Sequence, residues 1–168
     1  GAARREDFVR LVIAAIGRLK DGAERELLER YRTRFELIAK RLGFTPVTWL
    51  EFPESRAGSV EKRCQEEADA LLKAARDAGY IIALDVAGKA LSSDAFAKTL
   101  ARERDAGHKA IAIVIGGPDG FGEAMLNAAH LRFSLGAVTL PHALARIILA
   151  EQLYRAGTIL SGHPYHRA

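Results

Sequence analysis

Ala110-Ile111-Ala112-Ile113-Val114-Ile115, running into Gly116-Gly117-Pro118-Asp119-Gly120-Phe121-Gly122, is the stretch whose reading decides the fold. Six apolar residues in a row, most of them β-branched and bounded by glycine, suit a central strand covered on both faces. Four glycines in the next seven residues let the backbone adopt conformations closed to other residues and lie directly against a ligand. A second turn, Ser134-Leu135-Gly136-Ala137-Val138-Thr139-Leu140-Pro141-His142, leaves a short strand and enters a long helix, with Pro141 where a first helical turn tolerates a missing N–H. Side by side, two such turns form one pocket; taken alone, each is equally a tight connection.

Spacing excludes two familiar ligand loops. A dinucleotide fingerprint needs G-x-G-x-x-G, whereas Gly117, Gly120 and Gly122 run in the reverse order, and counting from Gly120 and Gly122 puts Met125 at the third glycine. A P-loop has its glycines separated as Gly117 and Gly122 are, but Glu123 and Ala124 stand where Lys and Ser or Thr must hold phosphate.

Outward from this centre, strand and helix signals alternate without repeats or low-complexity tracts, which predicts a single α/β domain over residues 1–168 with residues 1–7 as a flexible N-terminal extension. Strands are expected at Phe8 to Ala15, Pro46 to Phe52, Tyr80 to Leu84, Ala110 to Ile115 and Leu131 to Ser134. Glu24 to Leu42 is a helix with Leu27, Leu28, Tyr31, Phe35, Ile38 and Leu42 on one stripe. Ser59 caps a helix reaching Ala78, and Ser92 or Ser93 caps one ending near Gly107. Asp85-Val86-Ala87-Gly88-Lys89 reads as a turn out of its strand, in which Asp85 either faces a ligand or, more simply, caps the strand end. The last helix, Pro141 to about Leu160, has apolar residues over more of its circumference than one sheet face requires, so either a neighbouring helix or a second copy of the chain covers the rest.

Composition narrows the class further. A lone cysteine, Cys64, excludes an internal disulfide and a multi-cysteine metal site, and fits a reducing compartment. No apolar run approaches the roughly 20 residues that cross a membrane, so a cytoplasmic protein with no membrane partner is expected. Net charge is +4, and residues 131–168 carry +3 of it through Arg132, Arg146, Arg155 and Arg167 against Glu151. That bias fits either a polyanionic partner or an ordinary solvated surface.

The chain resembles the RlmH family of SPOUT-class methyltransferases. The resemblance is carried by Ile115 to Gly120, by Ser134-Leu135 with Thr139 to His142, by Ala150-Glu151-Gln152-Leu153-Tyr154-Arg155-Ala156, and by the terminal His163-Pro164-Tyr165-His166-Arg167. It implies a mostly parallel sheet of five or six strands with helices on both faces, and a C-terminal end buried through a deep trefoil knot, against the general rule that chains do not thread themselves. It also implies a homodimer that uses S-adenosylmethionine (AdoMet) to methylate N3 of a pseudouridine in 23S ribosomal RNA, on the large subunit or the whole ribosome and not on DNA. The residues it assigns to the cofactor are Leu84, Gly116, Gly117, Leu135, Gly136, Ala137, Val138, Thr139 and Leu140. Those it assigns to the acceptor base are Tyr165, His166 and Arg167, a tail that from its residues alone reads as surface. Gly136 and Ala137 stand where the family often has another serine, and Ala168 where it often has an acid. A metal is not expected, since His163 and His166 offer two ligands at most. A SPOUT enzyme acting on transfer RNA, or a non-catalytic nucleotide-binding or ribosome-associated protein, would share much of this pattern.

Overall fold

In a computed structural model, which describes residues 8–167, the apolar run at 110–115 is the middle strand of a five-stranded sheet. The extension expected over residues 1–7 lies outside the described residues. The strands are β1 Arg10–Ile16, β2 Thr48–Phe52, β3 Ala78–Ala90, β4 Ala110–Ile115 and β5 Leu131–Ser134, and the helices are α1 Ala23–Ala39, α2 Val60–Ala74, α3 Ser93–Asp105, α4 Glu123–Ala128 and α5 His142–Ser161. The sheet order is β2-β1-β4-β3-β5 with every pair parallel.

Side-chain alternation decides what covers each face. On one, Ile111, Ile113 and Ile115 of β4 join Leu11, Ile13 and Ile82 against Phe35 of α1, Phe96 and Leu100 of α3, and Leu149 and Leu153 of α5. On the other, Ala112 and Val114 lie with Ala14 and Ala83, and these small residues let Ala68 and Leu71 of α2 and Met125 of α4 pack close to the backbone. All six residues of β4 are buried, as a strand with helices on both sides requires.

Local chemistry sets the helix ends. Ser59 Oγ accepts the Lys62 N–H and Ser92 Oγ the Ala95 N–H, so Ser92 and not Ser93 is the cap. The first helix tightens to a 3₁₀ turn at Lys40–Leu42 and stops at Gly43, whose φ of 86° few other residues adopt. Pro141 sits one position earlier than expected, as the N-cap of α5.

One expectation is corrected and one alternative is decided in part. Residues 85–88 do not end their strand: β3 bulges there and resumes, so that Leu84 and Lys89 both pair with Phe133. Gly88 makes this possible, because a Cβ there would lie 2.5 Å from the Arg132 carbonyl oxygen. The excess apolar surface of α5 is taken up largely within the chain: Leu149 and Leu153 meet the sheet side, Ile147 and Ala150 meet Leu28 of α1, and Gly157 lets Phe35 and Ile38 approach closely. The neighbouring-helix alternative therefore accounts for most of that surface, leaving Leu144 45% exposed. Among the described residues no helix is long and apolar enough to cross a membrane.

Candidate cofactor and acceptor site

The carboxyl ends of parallel strands are where α/β sheets hold ligands, and a cavity of about 280 Å³ lies there, beyond β3 and β4. Three segments wall it: Leu84 to Val86, Ile115 to Phe121, and Leu135 to Ala145. Of the nine residues expected to hold a cofactor, Leu84, Gly116, Gly117, Leu135, Gly136, Val138 and Leu140 line it together, whereas Ala137 and Thr139 are exposed and do not. Six further lining residues were not assigned to the cofactor from sequence, Val86, Ile115, Gly120, Phe121, His142 and Ala145, and a seventh, Asp85, was left open. Asp85 borders the cavity while its Oδ1 accepts the Ala87 N–H at 3.1 Å within the bulge, so it does not cap a strand end. The bulge explains why Val86 was missed, and nothing in the spacing of Phe121 or Ala145 singles them out.

The glycines are required for different reasons. Gly136 has a φ of 126° with no atom within 4 Å of a Cβ position, so backbone conformation alone demands it. Gly117 is demanded by packing, because a Cβ would lie 2.9 Å from Ile16 Cγ2 and 3.2 Å from Glu67 Oε1. Between Gly117 and Gly120 the chain closes a turn, with the Gly120 N–H bonded to the Gly117 carbonyl at 2.9 Å. Arg63 of α2, a helix to which no role was given from sequence, fixes this turn by donating from Nε to Asp119 Oδ2 at 2.8 Å and from Nη1 to the Ala57 carbonyl. The hydrogen bond from Arg63 holds the Asp119 carboxyl below its usual range. Burial raises the pKa of the Cys64 thiol beside it, which favours the protonated, less nucleophilic form.

The tail folds back on the middle of its own α5, away from the cavity lining. Tyr165 donates its phenolic proton to Glu151 Oε1 at 3.0 Å, with its ring 4.7 Å from that of Tyr154 and the Arg155 guanidinium 4.7 Å above it. Arg155 also bonds Glu151 and donates to His166 Nδ1 at 3.1 Å. An arginine only donates, so Nδ1 is the acceptor in that contact, and Nε2 lies 3.4 Å from Asp94 Oδ2. Arg167 is exposed. Among the described residues, no group of three or more His, Cys, Asp or Glu is placed to hold a metal ion.

Burial, then the bond to Glu151, pushes the Tyr165 phenol up to about 12. The unfolded chain ionises tyrosine near ~10, so this raised value stabilises the folded tail fully below about pH 10 and the contribution is lost as pH climbs through about 12. In denaturant melts, wild type should exceed Tyr165→Phe by a margin that shrinks over that window. A margin independent of pH would mean that the phenol is not anchored.

The basic C-terminal segment is also corrected. Arg146 is 2% exposed and donates to the carbonyls of Ile16 and Gly17 at 2.7 and 2.8 Å and to Glu51 Oε2 at 2.9 Å. With Arg155 engaged by Glu151, only Arg132 and Arg167 of the four arginines face solvent freely. The charge count over residues 131–168 therefore overstates what a polyanion would meet.

Comparison with known proteins identifies the family. A family described as predicted SPOUT methyltransferase matches residues 9–166. Ribosomal RNA large subunit methyltransferase H from Xanthobacter autotrophicus is 49% identical over 160 residues, covering 95% of this chain and 100% of that one. Its counterpart from Brucella anthropi is 48% identical over the same shares. Among solved structures, a probable methylase family protein from Haemophilus influenzae aligns with a TM-score of 0.52 at 15% identity, over 97% of this chain and 71% of that one. A probable methyltransferase from Bordetella pertussis aligns at 0.50 and 18% identity, over 89% and 97%. At such identities these two speak for the fold alone, whereas the match across nearly the whole chain settles descent: the chain belongs to the SPOUT methyltransferases, in the family of ribosomal RNA large subunit methyltransferase H.

Proposed function

We propose that this protein is an AdoMet-dependent methyltransferase that modifies N3 of a pseudouridine in 23S ribosomal RNA, as one domain over residues 1–168 and as a cytoplasmic homodimer acting on the assembled large subunit or ribosome. The observation that carries the reading is the cavity at the carboxyl ends of β3 and β4, in which seven of the nine expected cofactor residues converge. Its walls fit the cofactor. Leu84, Ile115, Leu135, Val138 and Leu140 provide an apolar slot for adenine, and the backbone turn through Gly136 provides donors and acceptors for its edge. Among the lining residues only Asp85 and His142 are ionisable, so no thiol or amine nucleophile stands in the cavity. Bound there, AdoMet supplies an electrophilic methyl group. The deep trefoil knot of the C-terminal end is inferred from family membership.

The tail supplies the groups for the acceptor. N3 must lose its proton as it gains the methyl group, and a phenol pushed up to about 12 is a poor acceptor at neutral pH, so Tyr165 anchors the tail. The role of His166 is to take the proton after release from Arg155 and Asp94, and that of exposed Arg167 is to hold the anionic ring or a phosphate. Dimerisation fits two features: the tail lies away from its own cavity, and Val86 and Val138 at the cavity are each 65% exposed.

Calorimetry with AdoMet, NAD and ATP tests the cofactor, with AdoMet alone expected to bind; preference for either nucleotide would overturn the reading. Light scattering at micromolar concentration should show a dimer, and a monomer would remove any mechanism shared between subunits.

A further inference from the structure

Beside the cofactor cavity the surface continues into two further concavities that no step above uses. The first, about 310 Å³, shares Leu135 and Gly136 with that cavity and is bordered by Ser92 and Ser93 at the start of α3 and by Gln152 of α5. The second, about 280 Å³, shares Leu91 with the first and lies between α3 and the β3–β5 edge. Its polar rim is cationic: Lys89 on the resumed part of β3, with Lys98 and Arg102 on α3, stand around Tyr80, Leu91 and Leu131. All three basic residues are exposed, and no acid lines this depression.

The acid in contact with this rim, through Arg102, is Glu103, which is occupied. Its Oε2 is 2.9 Å from His108 Nε2 and its Oε1 accepts from Arg102 Nε at 3.3 Å. Burial works to raise that carboxyl, but the bonds from His108 and Arg102 outweigh it and leave it below its ordinary value. Arg102 keeps a side chain 67% exposed despite this contact. Tyr80 is not free to stack on a base, because the rings of His130 and His108 lie against it at 5.3 and 6.3 Å. The far depression thus offers charge without a base platform, which suits a phosphate backbone.

We propose that these concavities are one continuous track for a single RNA strand, in which Lys89, Lys98 and Arg102 hold backbone phosphates on one side of the nucleotide presented to the cofactor cavity. The inference rests on the RNA methyltransferase reading. The start of α3, with Ser92 and Ser93, adds backbone N–H groups midway along the track. A relay of hydrogen bonds links the track to the tail: Ser93 Oγ donates to Gln152 Oε1 at 2.6 Å, Gln152 donates to Glu151 at 2.7 Å, and Glu151 holds Tyr165.

The test is salt-dependent binding to large ribosomal subunits by wild type, by Lys89→Ala/Lys98→Ala/Arg102→Ala, and by the control Lys62→Ala/Lys73→Ala/Arg76→Ala, whose residues are exposed on and just after α2. At roughly 0.7 per phosphate contact with a single strand, the track variant should lose about 2 from the slope of log K against log salt. The control should keep the wild-type slope. Lys98→Glu alone, at an exposed helix position, should weaken binding at least tenfold and guards against misfolding of the triple variant. Equal slopes for the two triple variants would overturn the proposal. So would a photo-crosslinker at Ala95 that reached only ribosomal protein, since the track predicts RNA. AdoMet calorimetry on the same variants should match wild type. Failure of wild type to bind AdoMet would sink the methyltransferase reading while leaving the slopes to decide the track.

Discussion

Removing residues 165–168 will lower methyl transfer by about 10²–10⁴-fold, the range over which a positioned acid–base group acts. AdoMet affinity will stay within about tenfold, or roughly 1.4 kcal/mol. The separation follows from position: Tyr165 and His166 contact Glu151, Arg155 and Asp94, none of which lines the cofactor cavity. Arg167→Ala should reproduce much of the loss, with Arg132→Ala, also exposed, as its control. Arg146→Ala is unsuitable as that control, because Arg146 is buried. If tails act across a dimer, a tail-deleted chain mixed with a cavity-blocked chain will regain one working site per heterodimer. Gly117→Trp is a poor block, since even a Cβ there meets Ile16 at 2.9 Å. Ala145→Trp fills the cavity from α5 instead. Heterodimers that form yet stay inactive would place the tail in the service of its own subunit.

Arg146→Ala will destabilise the fold by about 3–5 kcal/mol, the usual cost of removing one partner from a buried ion pair, and lower Tm by roughly 6–20 °C. The side chain ties α5 to the carboxyl ends of β1 and β2 through the Ile16 and Gly17 carbonyls and Glu51. Arg25 also pairs with Glu51, and the Leu19 N–H bonds it at 2.6 Å, so the lost guanidinium unbalances a shared network. Burial lowers the Arg146 pKa and Glu51 opposes it. Arg146→Lys should rescue little, because one ammonium does not reproduce the planar fork that reaches three acceptors. Thermal melts would settle this, and a loss below about 1 kcal/mol, the scale of an exposed pair, would contradict the buried network.

The difference between what sequence revealed and what it hid has a physical basis. β4 and its glycine turn were legible because burial on both faces leaves an apolar run and a φ above zero demands glycine, as at Gly120 and Gly136. β5 was legible to the residue, and so were the caps at Ser59 and Ser92 within one position. The resumption of β3 was not, because Asp85 to Lys89 has the composition of a turn and its pairing with Phe133 is decided by a strand more than forty residues later. Arg146 was hidden for a related reason: charge counts treat every arginine as solvated, and only tertiary structure shows which carbonyls one will meet. Strand order is equally nonlocal, and the side-by-side placement of the two turns became visible only once β3 and β4 were paired.

The most direct test of the central claim is mass mapping of large-subunit RNA from cells lacking this gene, before and after incubation of their ribosomes with the protein and AdoMet. The account predicts that one pseudouridine in 23S RNA gains a single methyl group on N3, in an AdoMet-dependent manner. An RNA mass unchanged under conditions where AdoMet binding is demonstrated, or a methyl group appearing only on transfer RNA, would contradict it.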